Sequence, residues 1–266
     1  MDCEIAPVVR LRLTLAYEGT RYAGWQMQAP CPGGKETVQA AVERALAGII
    51  GSRVPVHAAG RTDAGVHAEA QVCHADVPIK RAGMDWVRAL NTKLEPDIRI
   101  FRGEIVPRSF HSRKNAKAKV YAYSLWTGRN KALPRVQAFV WSVPALDVSS
   151  MTEAAAHLLG RHDFSSFQNT GTPLRDTVRE IITLDMVPGR IGPLACPREW
   201  PVFTLLVRGD GFLKQMVRNI AGMLVWAGLG KVRPADVPGI LAARDRRALP
   251  SPSAPAQGLT LMEVIY

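Results

Sequence analysis

Val9, Leu11, Leu13, Leu15 and Tyr17 alternate with Arg10, Arg12 and Thr14. A period of two puts the apolar set on one face and predicts a half-buried strand over residues 9–17. A glycine- and proline-rich loop follows, with Gly19, Gly24, Pro30, Pro32, Gly33 and Gly34. Thr37 is placed to cap a helix in which Val38, Val42, Ala45, Leu46 and Ile49 recur at helical spacing. Residues 54–59 and 70–77 read as short strands. Asp85 caps a second helix with Trp86, Ala89, Leu90 and Leu94 as its apolar face, and Pro96 stops it. Residues 98–106 form a last strand.

That order, β-α-β-β-α-β, is the ferredoxin-like arrangement, which many RNA-recognition modules also use. The second half repeats it. Residues 120–126 predict a strand with Tyr121 and Tyr123, and 151–159 a helix. Strands follow at 178–187 and 202–208, then an amphipathic helix over 213–224 and a closing strand at 259–266. A short helix, 234–243, is inserted before that strand, and 191–200 reads as a hairpin extension. The expected fold is α+β: two ferredoxin-like halves joined into one extended, mainly antiparallel sheet, with helices on one face and a basic cleft on the other. The expected domains are 1–112 and 113–266, divided near the basic segment 113–119. No residue-level repeat is visible, so the duplication rests on element order.

With 266 residues, 47% of them hydrophobic, the chain can bury a full core and is not compositionally disordered. Lys and Arg number 34 against 23 Asp and Glu, a net charge of +11. Such an excess favours a polyanionic partner, and basic residues stand close to aromatics at Arg21, Tyr22 and Trp25 and again at Lys117, Lys119, Tyr121 and Tyr123. Arg10 and Arg12, on the polar face of the first strand, suit a phosphate backbone. Cys3, Cys31, Cys73 and Cys196 have no paired spacing, so a disulfide framework and a zinc site are not expected. Cys73 reads as core and the adjacent His74 as surface. The acidic start, Met1-Asp2-Cys3-Glu4, lacks a signal-peptide pattern, and the apolar run over 220–229 is too short to span a bilayer. The expectation is a soluble, cytoplasmic protein without a membrane partner.

Chemistry concentrates in Gly60-Arg61-Thr62-Asp63-Ala64-Gly65-Val66-His67. It sets a carboxylate in a glycine-bracketed turn beside a fixed cation, a setting for a nucleophile or base. Arg61 favours the charged form of its neighbour. The competing reading is structural, because an Asp in such a turn commonly bonds its own backbone. Tyr121 and Tyr123 share one sheet face, where a ring either stacks on a base or packs in the core. Lys214 and Arg218, four apart on the predicted helix, share a face and suit a phosphate or Asp63. His67 lies near Asp63, but no Ser or Cys nucleophile motif accompanies the pair. No nicotinamide or Walker-type glycine pattern is present.

The chain resembles the tRNA pseudouridine synthase A (TruA) family. The residues that carry the likeness are 59–67 and Tyr17-Glu18-Gly19-Thr20 with Tyr22, Gly24 and Trp25. Phe110-His111-Ser112-Arg113, His162-Asp163-Phe164-Ser165-Ser166-Phe167, Met216-Val217-Arg218-Asn219-Ile220 and Ala254-Pro255-Ala256-Gln257-Gly258-Leu259 extend it in family order. The resemblance implies isomerisation of uridine to pseudouridine at positions 38, 39 and 40 of the tRNA anticodon arm. It also implies a homodimer in which one tRNA contacts both subunits, and neither metal nor organic cofactor. By the same resemblance Asp63 is the catalytic aspartate and Tyr121 stacks on the target base. Arg218 is the basic partner, and Arg61 holds the flipped-out RNA. The departures are the loop after Gln26-Met27-Gln28, Glu69 and Cys73 around Gln71-Val72, and the 191–200 extension. Two other readings stand beside this one. A non-catalytic RNA-binding protein with duplicated ferredoxin-like domains would leave Asp63 without a task. A metal-dependent nuclease would want several converging carboxylates.

Overall fold

The computed structural model describes residues 7–28, 34–169 and 176–266. The acidic start with Cys3, and Pro30, Cys31, Pro32 and Gly33 of the first loop, lie outside the described residues. The chain divides into two compact units, Met1–Lys117 with Glu263–Tyr266, and Ala118–Met262. Each mixes helices with a mainly antiparallel sheet.

In the first unit β1 (Val8–Tyr17) runs antiparallel to β3 (His67–Pro78) on one side and to β4 (Ile98–Val106) on the other. The short β2 (His57–Ala58) pairs with β3. The sheet order β4-β1-β3-β2 is that of the ferredoxin-like arrangement. Register decides the faces. Leu11, Leu13 and Leu15 lie opposite Ala75, Cys73 and Gln71, and all three leucines are buried. Helix α1 (Val38–Ile50) is capped by Thr37, whose side chain accepts from the Ala40 amide, and ends on Gly51 in the left-handed region at φ 87°. Helix α2 (Trp86–Asn91) is capped by the Asp85 carboxylate. It rests on β4 at Gly103, where a Cβ would lie 3.0 Å from that of Trp86.

The expected strand over 54–59 shortens to two residues, and the cause is a side-chain clamp. The Val56 amide donates to Glu43 Oε1 at 3.0 Å, and the Val56 carbonyl accepts from Gln39 Nε2 at 3.2 Å. Both partners belong to α1 and are buried, so this backbone is satisfied by side chains, not by a neighbouring strand. The first-strand arginines are also committed within the unit. Arg10 makes a two-pronged bond to Asp76, at 2.8 and 2.9 Å, and donates to the Phe110 carbonyl. The Arg12 guanidinium lies 4.6 Å from the Tyr266 ring centre, and the Tyr266 hydroxyl donates to the Ser112 carbonyl.

In the second unit β5 (Ala118–Thr127), β11 (Val202–Gly209), β8 (Val178–Pro188) and β7 (Gly160–Asp163) pair antiparallel in that order. Strand β6 (Trp141–Val143) runs parallel beside β5. Helix α3 (Val148–Ala156) meets α4 (Met216–Gly228) at Gly228, where a Cβ would fall 2.8 Å from Met151 Cγ. The predicted helix over 213–224 begins at Met216 because Gln215 sits in the left-handed region at φ 61°. Lys214 therefore precedes the helix and does not share a helical face with Arg218. The predicted extension is a small hairpin of β9 (Arg190–Ile191) and β10 (Leu194–Ala195). Ile191 joins Trp126, Val140 and Val202 in a satellite core, with Cys196 and Trp200 packed against it. Helix α5 (Val237–Ala242) and β12 (Leu259–Ile265) complete the chain. Among the described residues no helix is long and apolar enough to cross a membrane.

Candidate active site

Asp63 occupies the first position of a tight turn in which the Val66 amide donates to the Asp63 carbonyl at 3.2 Å. Gly65, at φ 79°, supplies the left-handed residue that this turn requires. Side-chain exposure alternates along the approach: Arg61 is exposed, Thr62 buried and Asp63 half-buried.

The turn is held from two sides. On one, the segment Tyr17 to Trp25 lies against it backbone to backbone. The Trp25 amide donates to the Thr62 carbonyl at 3.0 Å. A Cβ on Gly24, which has φ 88°, would come within 2.5 Å of the Thr62 carbonyl oxygen and 2.9 Å of the Asp63 carbonyl carbon. Gly19 is pressed still more closely on the Val66 carbonyl, where a Cβ would lie 2.0 Å from the oxygen. These are approaches that only glycine permits. On the other side is a chain of buried polar groups. The Tyr17 hydroxyl and Thr62 Oγ1 are 2.8 Å apart, and Gln71 Nε2 donates to the Gly60 carbonyl at 2.9 Å. Burial pushes the Tyr17 hydroxyl up to about 12, so it remains a neutral phenol. His67, 3% exposed, accepts from the Gly19 amide through Nδ1 at 3.0 Å. Nδ1 thus has a structural task, holding the loop at Gly19.

In the second unit Tyr121 stands on β5 opposite Val207, 7% exposed, with its ring edge-on to Phe212 at 5.2 Å. Tyr123, two residues on, is fully buried and donates to the Pro255 carbonyl at 2.7 Å. Period two therefore gave the shared face correctly, and both rings are buried, Tyr123 completely and Tyr121 nearly so. Arg218 lies in the first turn of α4. Its Nε donates to the Ala254 carbonyl at 2.7 Å, and the Ala254 amide returns a bond to the Arg218 carbonyl at 3.1 Å. Asn219, fully buried, donates to the Phe167 carbonyl and accepts from Ser253. One helical turn thus holds two distant segments, at Phe167 and at Ser253-Ala254.

A family model described as tRNA pseudouridine synthase matches residues 14–113 and 154–266. The chain belongs to that family. Relatives named tRNA pseudouridine synthase A are similar over nearly all of both chains. That of Oleidesulfovibrio alaskensis is 48% identical over 97% of each chain. That of Nitratidesulfovibrio vulgaris strain Miyazaki F is 47% identical over 97% of this chain and all of its own. That of Lawsonia intracellularis is 46% identical, covering 97% and 99%.

This pseudouridine synthase carries a second polar cluster away from the Asp63 turn, and it corrects the reading of His74 as a surface residue. His74 is 3% exposed, its Nδ1 2.9 Å from the Ser112 hydroxyl. The His57 ring stacks on it at 5.2 Å, and His111 meets it edge-on at 4.7 Å. Burial, helped by Arg10, His111 and His57, lowers His74 to about 4. Among the described residues no group of three or more His, Cys, Asp or Glu is placed to hold a metal ion. The bracing role of Tyr17 and Gln71 was missed in the sequence. A signal existed for Gln71: it is the one polar residue in the inward row Gln71, Cys73, Ala75, Val77 of β3.

Proposed function

We propose that this tRNA pseudouridine synthase acts on the uridines at positions 38, 39 and 40 of the anticodon arm, with Asp63 as its catalytic carboxylate. Tyr121, Arg61 and Arg218 are the substrate-contacting residues of this reading. The reaction breaks the N1–C1′ bond, turns the uracil and forms a C5–C1′ bond. It is redox-neutral, so it needs no electron acceptor. The carboxylate serves as nucleophile toward sugar or base, or removes a sugar proton. The target uridine must leave the stack, at a cost of a few kcal/mol. Tyr121 offers its ring as a stacking surface, and the net positive charge of +11 supplies salt-dependent phosphate affinity.

The observation that carries this reading is the turn itself. A half-buried carboxylate sits next to an exposed arginine on a backbone that is fixed from both sides. Rigid placement of one acidic group has little value in a surface that merely binds RNA, and much in one that performs chemistry. The same reading includes a homodimer engaging one tRNA and a cytoplasmic site of action.

The test is Asp63→Asn assayed on unmodified tRNA by carbodiimide-adduct primer extension, with and without EDTA. Pseudouridine formation is expected to fall roughly a thousandfold or more, with tRNA binding retained and EDTA without effect. Full activity in the variant removes the assignment. Cleaved RNA would favour the nuclease, and bound but unchanged RNA with the wild-type protein would favour the non-catalytic binder.

A further inference from the structure

Gln71 is fully buried on the apolar face of β3, across from Leu15. Its Nε2 donates to the Gly60 carbonyl, while its Oε1 has no hydrogen-bond partner among the described residues. An amide oxygen left unmatched in the core costs stability, and an apolar side chain of similar volume would avoid that cost. What the glutamine holds must therefore be sought in the turn it touches. The Gly60 carbonyl can only accept, which fixes Nε2 as the donor and orients the amide. The same Nε2 approaches the Tyr17 oxygen at 3.5 Å, and the Tyr17 hydroxyl and Thr62 Oγ1 share a hydrogen bond of 2.8 Å in which either can donate. The result is a continuous chain of polar contacts from β3 through β1 into the residue between Arg61 and Asp63.

We infer that Tyr17, Gln71 and Thr62 form a positioning relay that aims Arg61 and Asp63 at the substrate. Thr62 works as a keel. Its side chain is held inward by Tyr17 and its carbonyl by the Trp25 amide. Adjacent side chains along the chain then turn the other way, as their exposure shows. Gln71 fixes the Gly60 carbonyl, so two backbone carbonyls, at Gly60 and Thr62, are anchored before Asp63 is reached. All three are buried, so their effect is expected on the orientation of the carboxylate and not on tRNA affinity. The inference rests on Asp63 being the catalytic carboxylate.

The experiment compares full-length Tyr17→Phe, Gln71→Met, Thr62→Val and Thr62→Ser with wild type and with Asp63→Asn. It measures single-turnover pseudouridine formation, KM for tRNA, and Tm. Tyr17→Phe and Thr62→Val are expected to lose about tenfold in kcat, the equivalent of about 1.4 kcal/mol. KM should stay within about twofold, and Thr62→Ser should recover most of the rate. Gln71→Met is the sharpest arm: its rate falls while its Tm stays within about 2 °C of wild type or rises, a split that a purely structural brace would not produce. If Gln71→Met fails to fold, Tyr17→Phe and the Thr62 pair decide. Wild-type rates in Tyr17→Phe and Thr62→Val beside an inactive Asp63→Asn would overturn the relay and leave the catalytic aspartate standing. An active Asp63→Asn would remove that assignment, and the relay with it.

Discussion

The turn bearing Asp63 and the helix bearing Arg218 are both locked to segments far away in sequence, by different chemistry. Around Asp63 the lock is a set of short backbone contacts at Gly19 and Gly24 together with buried side-chain hydrogen bonds from Tyr17 and Gln71. Around Arg218 it is a regular helix with an apolar underside, exchanging two bonds with Ala254 and admitting the Pro252 carbonyl at Gly222. A helix positions a side chain through its own periodicity and needs little help. An irregular turn has no such internal rule, so its neighbours must supply the constraint, and they supply it redundantly.

The largest test of this contrast is the pair Gly24→Ala and Gly222→Ala. In Gly24→Ala the new methyl group meets the Thr62 carbonyl oxygen and the backbone is held at φ 88°, so roughly 2 kcal/mol or more of stability should be lost. Gly222→Ala meets the Pro252 carbonyl oxygen at 2.2 Å, closer still, so although it keeps a helical backbone and gains up to about 1 kcal/mol of helix propensity, its stability loss should be similar. Urea unfolding measures both. Activity per folded molecule should drop in Gly24→Ala well beyond its drop in Gly222→Ala; equal losses would mean that the turn is no more sensitive than the helix.

A middle-sized effect is expected at Tyr121. Alanine there should cost about 1–3 kcal/mol of tRNA interaction, whereas phenylalanine keeps the ring and most of the activity. Two variants indistinguishable from wild type in tRNA binding and turnover would leave the ring with only its packing against Phe212.

The smallest effect concerns acid. Strand β3 carries both Gln71 and His74. In the folded protein His74 declines a proton until about pH 4, while in the unfolded chain it takes one near its ordinary 6.5. Between those values the unfolded state binds more protons, so stability falls as pH falls through this window. Arg10, His57 and His111 reinforce the effect, and Asp76 opposes it. His74→Asn, whose amide oxygen can take over the acceptor role of Nδ1, should flatten the decline in Tm between pH 7 and 5. Hydrogen exchange should place the acid loosening in the first unit, where this cluster lies; uniform loosening of both units would point to general charge repulsion instead.

The sequence was most legible where one periodicity governed. The row Val9 to Tyr17 and the helix after Thr37 appear as read, because burial of one face repeats at a fixed interval; the helix after Asp85 starts as read but ends at Asn91, short of Leu94 and Pro96. The catalytic candidate was legible too, since glycines on both sides of an Arg-Thr-Asp run mark a special turn. It failed where side chains replaced backbone partners. Gln39 and Glu43 cut short the strand expected at 54–59, and Ser112, 38 residues from His74, turned a residue read as surface into a buried one. Gln215 delayed a helix by adopting a conformation that no periodicity encodes.

Local pattern by itself determined the elements, their order and the basic character of the chain, because these depend on neighbours a few residues apart. Tertiary structure alone decided which polar groups are paid for by partners, as Tyr17, Thr62 and Gln71 show. Those three are separated by up to 54 positions, and only the antiparallel register of β1 on β3 and the return of the chain through residues 60–63 bring their hydroxyls and amide within bonding distance.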